Sequence, residues 1–278
     1  MILLVLNCAL YFLTEKIYWK GYSKILDENH PSYLLADSHG LPLKQFSEKY
    51  GLYNFSAASD SYEDMFRKSR HLIQNSNVQT IYLSVDDHTL AKYREELNNL
   101  DRSIVYSLPR DYDSYYDMFK QKYIRNYCVL FDPKSRSAIS KYLVSLISRK
   151  LGVKSKSSRA IWAKLTEEER QKIADARKSR LKWNSIKSKK LTASLLKIVT
   201  LCRQNKVELI GIKFPLTKNY IRAIGNDGYK ADSIFQSHGL TVLDFSSIYI
   251  EHNEYFENQD HLNELGGELF SKVLADSL

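Results

Sequence analysis

The chain has 278 residues, 44% of them hydrophobic, with 41 Lys+Arg against 32 Asp+Glu and a formal charge of +9. That length fits one large domain, or one domain with an insertion, and the apolar share excludes a wholly disordered chain. No stretch reaches roughly 18 consecutive apolar residues, which excludes a polytopic membrane protein; Cys8, Cys128 and Cys202 form neither a disulfide framework nor a metal-ligand spacing.

Residues 1–13 (MILLVLNCALYFL) carry no charged side chain, and Glu15 and Lys16 end the run. As a helix they rise about 20 Å, short of a bilayer core of about 30 Å. No basic region precedes them, as one does in a secretory signal, and Lys16, Lys20 and Lys24 follow. Three readings stand: the tail of a signal anchor that starts further upstream, a short membrane-associated helix, or a helix packed on the body. Residues 17–26 read as a stalk, giving an apolar anchor and stalk over 1–26 and a body over 27–278.

The body alternates strands and helices. Residues 32–36 (SYLLA) form a short apolar run that ends at Asp37-Ser38-His39-Gly40. Residues 53–58 are a second short run. Residues 61–74 carry Tyr62, Met65, Phe66 and Leu72 at helical spacing, with Asp60 and Ser61 as its cap region. Residues 78–85 (VQTIYLSV) read as a buried strand and 88–100 as a helix capped near Asp87. Residues 190–205 are helical, 207–214 (VELIGIKF) are a buried strand stopped by Pro215, 241–245 (TVLDF) are a last strand, and 261–278 close with a helix. This alternation argues for a parallel α/β sandwich. There is no internal repeat.

The positive charge is concentrated. Residues 110–200 hold roughly 23 Lys+Arg and 8 Asp+Glu, which leaves the rest of the chain mildly acidic. Residues 107–190 read as a mostly helical, basic insertion between two strands. A run of this kind is either a solvated helical face or a lid or docking surface for an anionic polymer or membrane. Trp162, Trp183 and the tyrosines of 112–127 suit core or lid packing, and sugar stacking second.

In an open parallel sheet, active residues gather at the carboxyl ends of the strands. Ser38 lies at the end of the first strand, where its hydroxyl can be exposed and its own N–H can help hold an oxyanion. A serine needs a general base, and His261 precedes the last helix, with Gly266 one turn on. The order Ser then His is allowed, because such groups are defined by geometry. His88 beside Asp86 and Asp87 reads as a capped helix start at Asp87 and not as a metal site, so no metal and no cofactor is expected.

With those residues in view, the sequence resembles the SGNH/GDSL hydrolase superfamily. Ala36-Asp37-Ser38-His39 matches a variant of its nucleophile block, and Asp260-His261-Leu262-Asn263 with Gly266 its terminal block. More narrowly, it is similar to envelope-anchored proteins of bacterial exopolysaccharide modification. The resemblance implies a flavodoxin-like three-layer sandwich with a central parallel sheet. It also implies a serine esterase or O-acyltransferase at the cell envelope, acting on an acylated glycan or similar ester. Three departures accompany it. Ser56 stands where the family has an oxyanion-hole Gly, so only its backbone N–H would serve. Asp86 stands at the family's Asn donor, and an ionised Asp accepts hydrogen bonds only. Either Asp86 is protonated, or its loop has another role, or the site is weak. Asn258 stands at the family's Asp, three residues before the His, which leaves the adjacent Asp260 as the orienting acid, Glu257 as a lesser candidate, or a Ser–His dyad oriented by a backbone carbonyl. The second reading is therefore a catalytically silent domain that binds polysaccharide or a biosynthetic partner. A nucleic-acid module rests on the basic segment alone and has no reader motif.

Overall fold

The computed structural model describes residues 2–19, 22, 30–124, 127–150, 161–181, 186–225 and 227–277. Lys20, Lys24, Trp183 and the basic stretch 151–159 lie outside them. The chain divides into two compact units, one of residues 1–27 with 100–159, the other of residues 28–99 with 160–278.

The second unit holds the sheet. Its strands are β1 (Ser32–Leu35), β2 (Leu52–Asn54), β3 (Thr80–Ser84), β4 (Glu208–Lys213) and β5 (Val242–Asp244). All neighbours are parallel, in the order β2-β1-β3-β4-β5. This is the flavodoxin-like sandwich expected of the sequence: a central five-stranded parallel sheet flanked by helices. Its strands are short apolar runs because both sheet faces are covered. Leu34, Tyr82 and Ile212 line one face, in a core with Phe214, Phe270 and Leu274. Tyr33, Leu35, Ile81 and Leu83 alternate with them and are equally buried. Helices Tyr62–Asn75 and Lys189–Gln204 pack against each other, and helix Glu264–Ala275 packs on the turn after β1.

Strand order reverses between β1 and β3, which opens a crevice at their carboxyl ends. The turn after β1 enters it. Gly40 there faces the Ser56 side chain so closely that no Cβ would fit, and Gly267 in the last helix likewise meets the Pro42 carbonyl. These two glycines bring the first and last loops of the unit together.

Three expectations change. Residues 88–100 are turns with a short 3-10 segment at Lys92–Glu95, not a helix. Ala91 is extended and bridges Lys187, while Thr89, Arg94 and Asn99 spend their side chains on Tyr62, Asp37 and Asp60. Helices Lys218–Ile224 and Ala231–Ser237 follow β4 without having been expected. The expected insertion at 107–190 divides, since its part from 160 onward belongs to the sheet-bearing unit. There Trp162 is buried in the core and its Nε1 donates to Asn253 Oδ1 at 3.1 Å, so it is no sugar platform.

In the first unit, helix Ile2–Thr14 packs beside residues Val129–Phe131 and helix Pro133–Lys150. Among the described residues, no helix is long and apolar enough to cross a membrane.

Candidate active site

β1 ends at Leu35, and after Ala36 the chain turns at Asp37. Its carboxylate accepts the His39 N–H at 3.0 Å and caps the 3-10 turn Ser38–Leu43. Ser38 is therefore the first residue of that turn, at the crevice.

His261 lies in a tight reversal before the last helix. Phe256 and Leu262 form a bridge, the Glu257 N–H donates to the His261 carbonyl at 2.9 Å, and the Asp260 N–H donates to Asn258 Oδ1 at 3.1 Å. Asn263 then caps helix Glu264–Ala275 by accepting the Gly266 N–H at 2.9 Å. The outcome is a Ser38 Oγ to His261 Nε2 distance of 2.8 Å.

The bend also turns Asp260 back toward its neighbour. Asp260 Oδ1 lies 2.9 Å from His261 Nδ1, and Asn258 Oδ1 lies 3.1 Å from the same nitrogen. Asp260 is almost wholly buried. Burial works against its ionisation, but the His261 hydrogen bond and the Arg177 charge hold it well below the usual carboxylate range. Arg177, on helix Glu167–Arg180, puts Nε at 2.9 Å and Nη2 at 2.8 Å on Asp260 Oδ2. Gln259 Nε2 also donates to Asp260 Oδ1. Sequence reasoning missed Arg177, because no local pattern marks a partner 83 residues away.

Beneath Ser38 lies a buried ionic cluster. Asp37 meets His39 Nδ1 at 2.8 Å, His88 Nε2 at 2.9 Å and Arg94 Nη2 at 3.2 Å. Burial opposes ionisation of Asp37, yet His39 and Arg94 hold it well below the ordinary value. Burial likewise opposes charge on His39, but Asp37, with Asp86 and Asp260 adding, lifts it to about 9. The His39 ring stacks on the His261 ring, with centroids 4.6 Å apart and planes within 7°. His39 thus walls one face of the candidate base.

Two expected oxyanion positions are differently employed. The Ser56 N–H donates to Asn54 Oδ1 at 3.1 Å, and Asn54 Nδ2 donates to the Gly40 carbonyl at 2.7 Å. The Ser56 backbone donor is thus spent within its own loop. Asp86 accepts the Phe214 N–H at 2.8 Å and the Ser84 hydroxyl at 2.7 Å. Its carboxylate ties the end of β3 to the end of β4.

Asp37, His39 and His88 bring three metal-ligand atoms together, as do His39, Asp260 and His261. These atoms already pair with one another, and Arg94 and Arg177 sit on the two carboxylates. A further cation would meet fixed positive charge in both places.

No protein-family model and no curated protein matches the chain. Among solved structures, it is similar to a protein of Bacteroides fragilis NCTC 9343 provisionally named an acylhydrolase, with 8% identity, 94% of each chain covered and a TM-score of 0.45.

Proposed function

We propose that the chain is a serine-dependent ester hydrolase or O-acyltransferase with Ser38 as nucleophile and His261 as base. The observation that carries this is the 2.8 Å approach of His261 Nε2 to Ser38 Oγ at a strand-order switch point. Ser38 Oγ attacks the acyl carbon while His261 Nε2 takes the hydroxyl proton. Asp260 holds Nδ1–H and balances the imidazolium that forms. His261 then returns the proton to the departing alcohol, which leaves the acyl group on Ser38. Water or a sugar hydroxyl, deprotonated by the same imidazole, attacks the acyl carbon, and His261 returns that proton to Ser38 Oγ as the acyl group leaves by hydrolysis or transfer. The resemblance to SGNH/GDSL proteins of exopolysaccharide modification points to an acylated glycan at the cell envelope as the substrate class.

A second reading is a silent domain that binds a glycan. It is favoured by one observation, the engagement of the Ser56 N–H and the Asp86 carboxylate elsewhere. A single experiment separates the two: a fluorophosphonate probe and an acetyl-ester assay on wild type, Ser38→Ala and His261→Ala. The enzyme reading expects labelling of Ser38 and turnover, both abolished in each variant while the fold is kept. Robust turnover by Ser38→Ala would sink it, and an unlabelled wild type that binds glycan would establish the silent reading.

A further inference from the structure

The first unit shows a surface that water alone does not suit. Helix Ile2–Thr14 carries no charged side chain, and Leu3, Leu4 and Phe12 are 73%, 70% and 71% exposed. Leu3 and Leu4 are consecutive, so more than one side of the helix is bare. An aromatic ladder continues the surface. The Tyr11 ring lies 4.8 Å from Tyr127 at a tilt of 32°, Tyr127 stacks on Tyr123 at 6.4 Å, and Tyr123 lies 5.8 Å from Phe119. Asn7 Nδ2 donates to the Tyr127 carbonyl at 2.6 Å and fixes the ladder to the helix. Phe131 is 81% exposed beside a groove that also touches Ile124, Cys128 and Lys120. Contiguous exposed apolar surface on this scale marks an interaction site.

The charge around it selects the partner. Lys16, Lys120, Arg136, Lys141, Arg149 and Lys150 are exposed, against Asp111 and Asp113 as the exposed acids among this unit's described residues. A second copy would bring the same positive charge to the contact and be repelled. A soluble polyanion would satisfy the cations and leave the leucines and phenylalanines in water. An anionic bilayer satisfies both at once, and tyrosines favour its boundary. The 13 residues of this helix rise about 20 Å, against a bilayer core of about 30 Å.

We propose that this unit is a peripheral docking element for anionic phospholipid surfaces, with the Ile2–Thr14 helix and the Phe119–Tyr127 ladder embedded at headgroup depth. It is independent of the esterase reading and is tested without it. Full-length Ser38→Ala protein is sedimented with phosphatidylglycerol/phosphatidylcholine vesicles and with pure phosphatidylcholine vesicles. Binding to the anionic vesicles is expected, weaker by about tenfold or more on neutral ones and falling with salt. The double substitution Leu3→Ser and Leu4→Ser, on exposed side chains, is expected to weaken anionic binding by at least about tenfold. Phe131→Ser is expected to act in the same direction. Equal affinity for both vesicles, no affinity for either, or binding that survives the leucine substitutions would overturn the proposal. So would a vesicle-free dimer that the same substitutions dissolve, since a second copy would then be the occupant.

Discussion

Arg177 places two N–H groups on one oxygen of Asp260, and the other oxygen of Asp260 faces His261 Nδ1. The acid is thus held from behind by a helix distant in sequence. Arg177→Met is expected to lower kcat while leaving KM within about twofold, because Arg177 acts through Asp260 on the transition-state charge. Asp260→Asn is expected to lower kcat by roughly 10²–10⁴. The double variant should be no slower than Asp260→Asn alone. Steady-state kinetics of this cycle decide the matter, and additive losses would mean that Arg177 works through packing.

Asn258 and Asp260 both reach His261 Nδ1, but only Asp260 carries charge there. Asn258→Ala should therefore cost about tenfold or less in kcat, well short of the Asp260→Asn loss. The reverse ranking would make Asn258 the orienting group.

Asp86→Asn removes half of the anchor that joins the Ser84 hydroxyl and the Phe214 N–H. Chemical unfolding should show a loss of about 1–3 kcal/mol. No gain in kcat is expected. A rise in kcat would place position 86 within reach of the oxyanion.

The Asp37–His39 pair makes stability depend on pH. The folded-state value for His39, about 9, lies above the ordinary 6.5. Its contribution is complete below about pH 6.5 and is lost as pH rises through about 9. Asp37 and Asp260, held below the ordinary 3.8, contribute above about pH 4 and fail as pH falls further. Urea unfolding at pH 6.5 and 9.5 should show a drop on the order of 2 kcal/mol in wild type. That drop should disappear in His39→Gln; an unchanged pH dependence in the variant would assign it elsewhere.

Gly267→Ala drives a Cβ into the Pro42 carbonyl. A cost of about 1–3 kcal/mol is expected, together with reduced turnover, because the strain lies between the loops that carry Ser38 and His261. Thermal unfolding and kcat measured on one preparation test both.

Much of this was legible in the chain. β1, β3 and β4 are buried on both faces, so SYLL, TIYLS and ELIGIK appear as apolar runs whatever their neighbours. Ser38 and His261 were legible because strand ends and the start of a last helix are where a parallel sheet presents side chains. Residues 88–100 misled because their polar groups are spent on partners far away, a demand that overrides local helical preference. Asp260 was ambiguous for the same kind of reason. An adjacent residue faces a histidine only if the loop folds back, and the Phe256–Leu262 bridge that folds it is not written in spacing. Arg177 left no local trace, since an ion pair across 83 residues has no periodicity.

The clasp between Gly267 and Pro42 bears on how the molecule is made. Ser38, just beyond the first strand, meets His261 across 223 residues of chain. During synthesis, Ser38 emerges early, with no base, no orienting acid and no arginine behind it. On the proposed mechanism, reactivity would switch on only after the last helix has been released and has closed on the first turn. If the proposed mechanism holds, ester turnover would be a stringent reporter of completed folding, and truncated or stalled chains would be chemically inert.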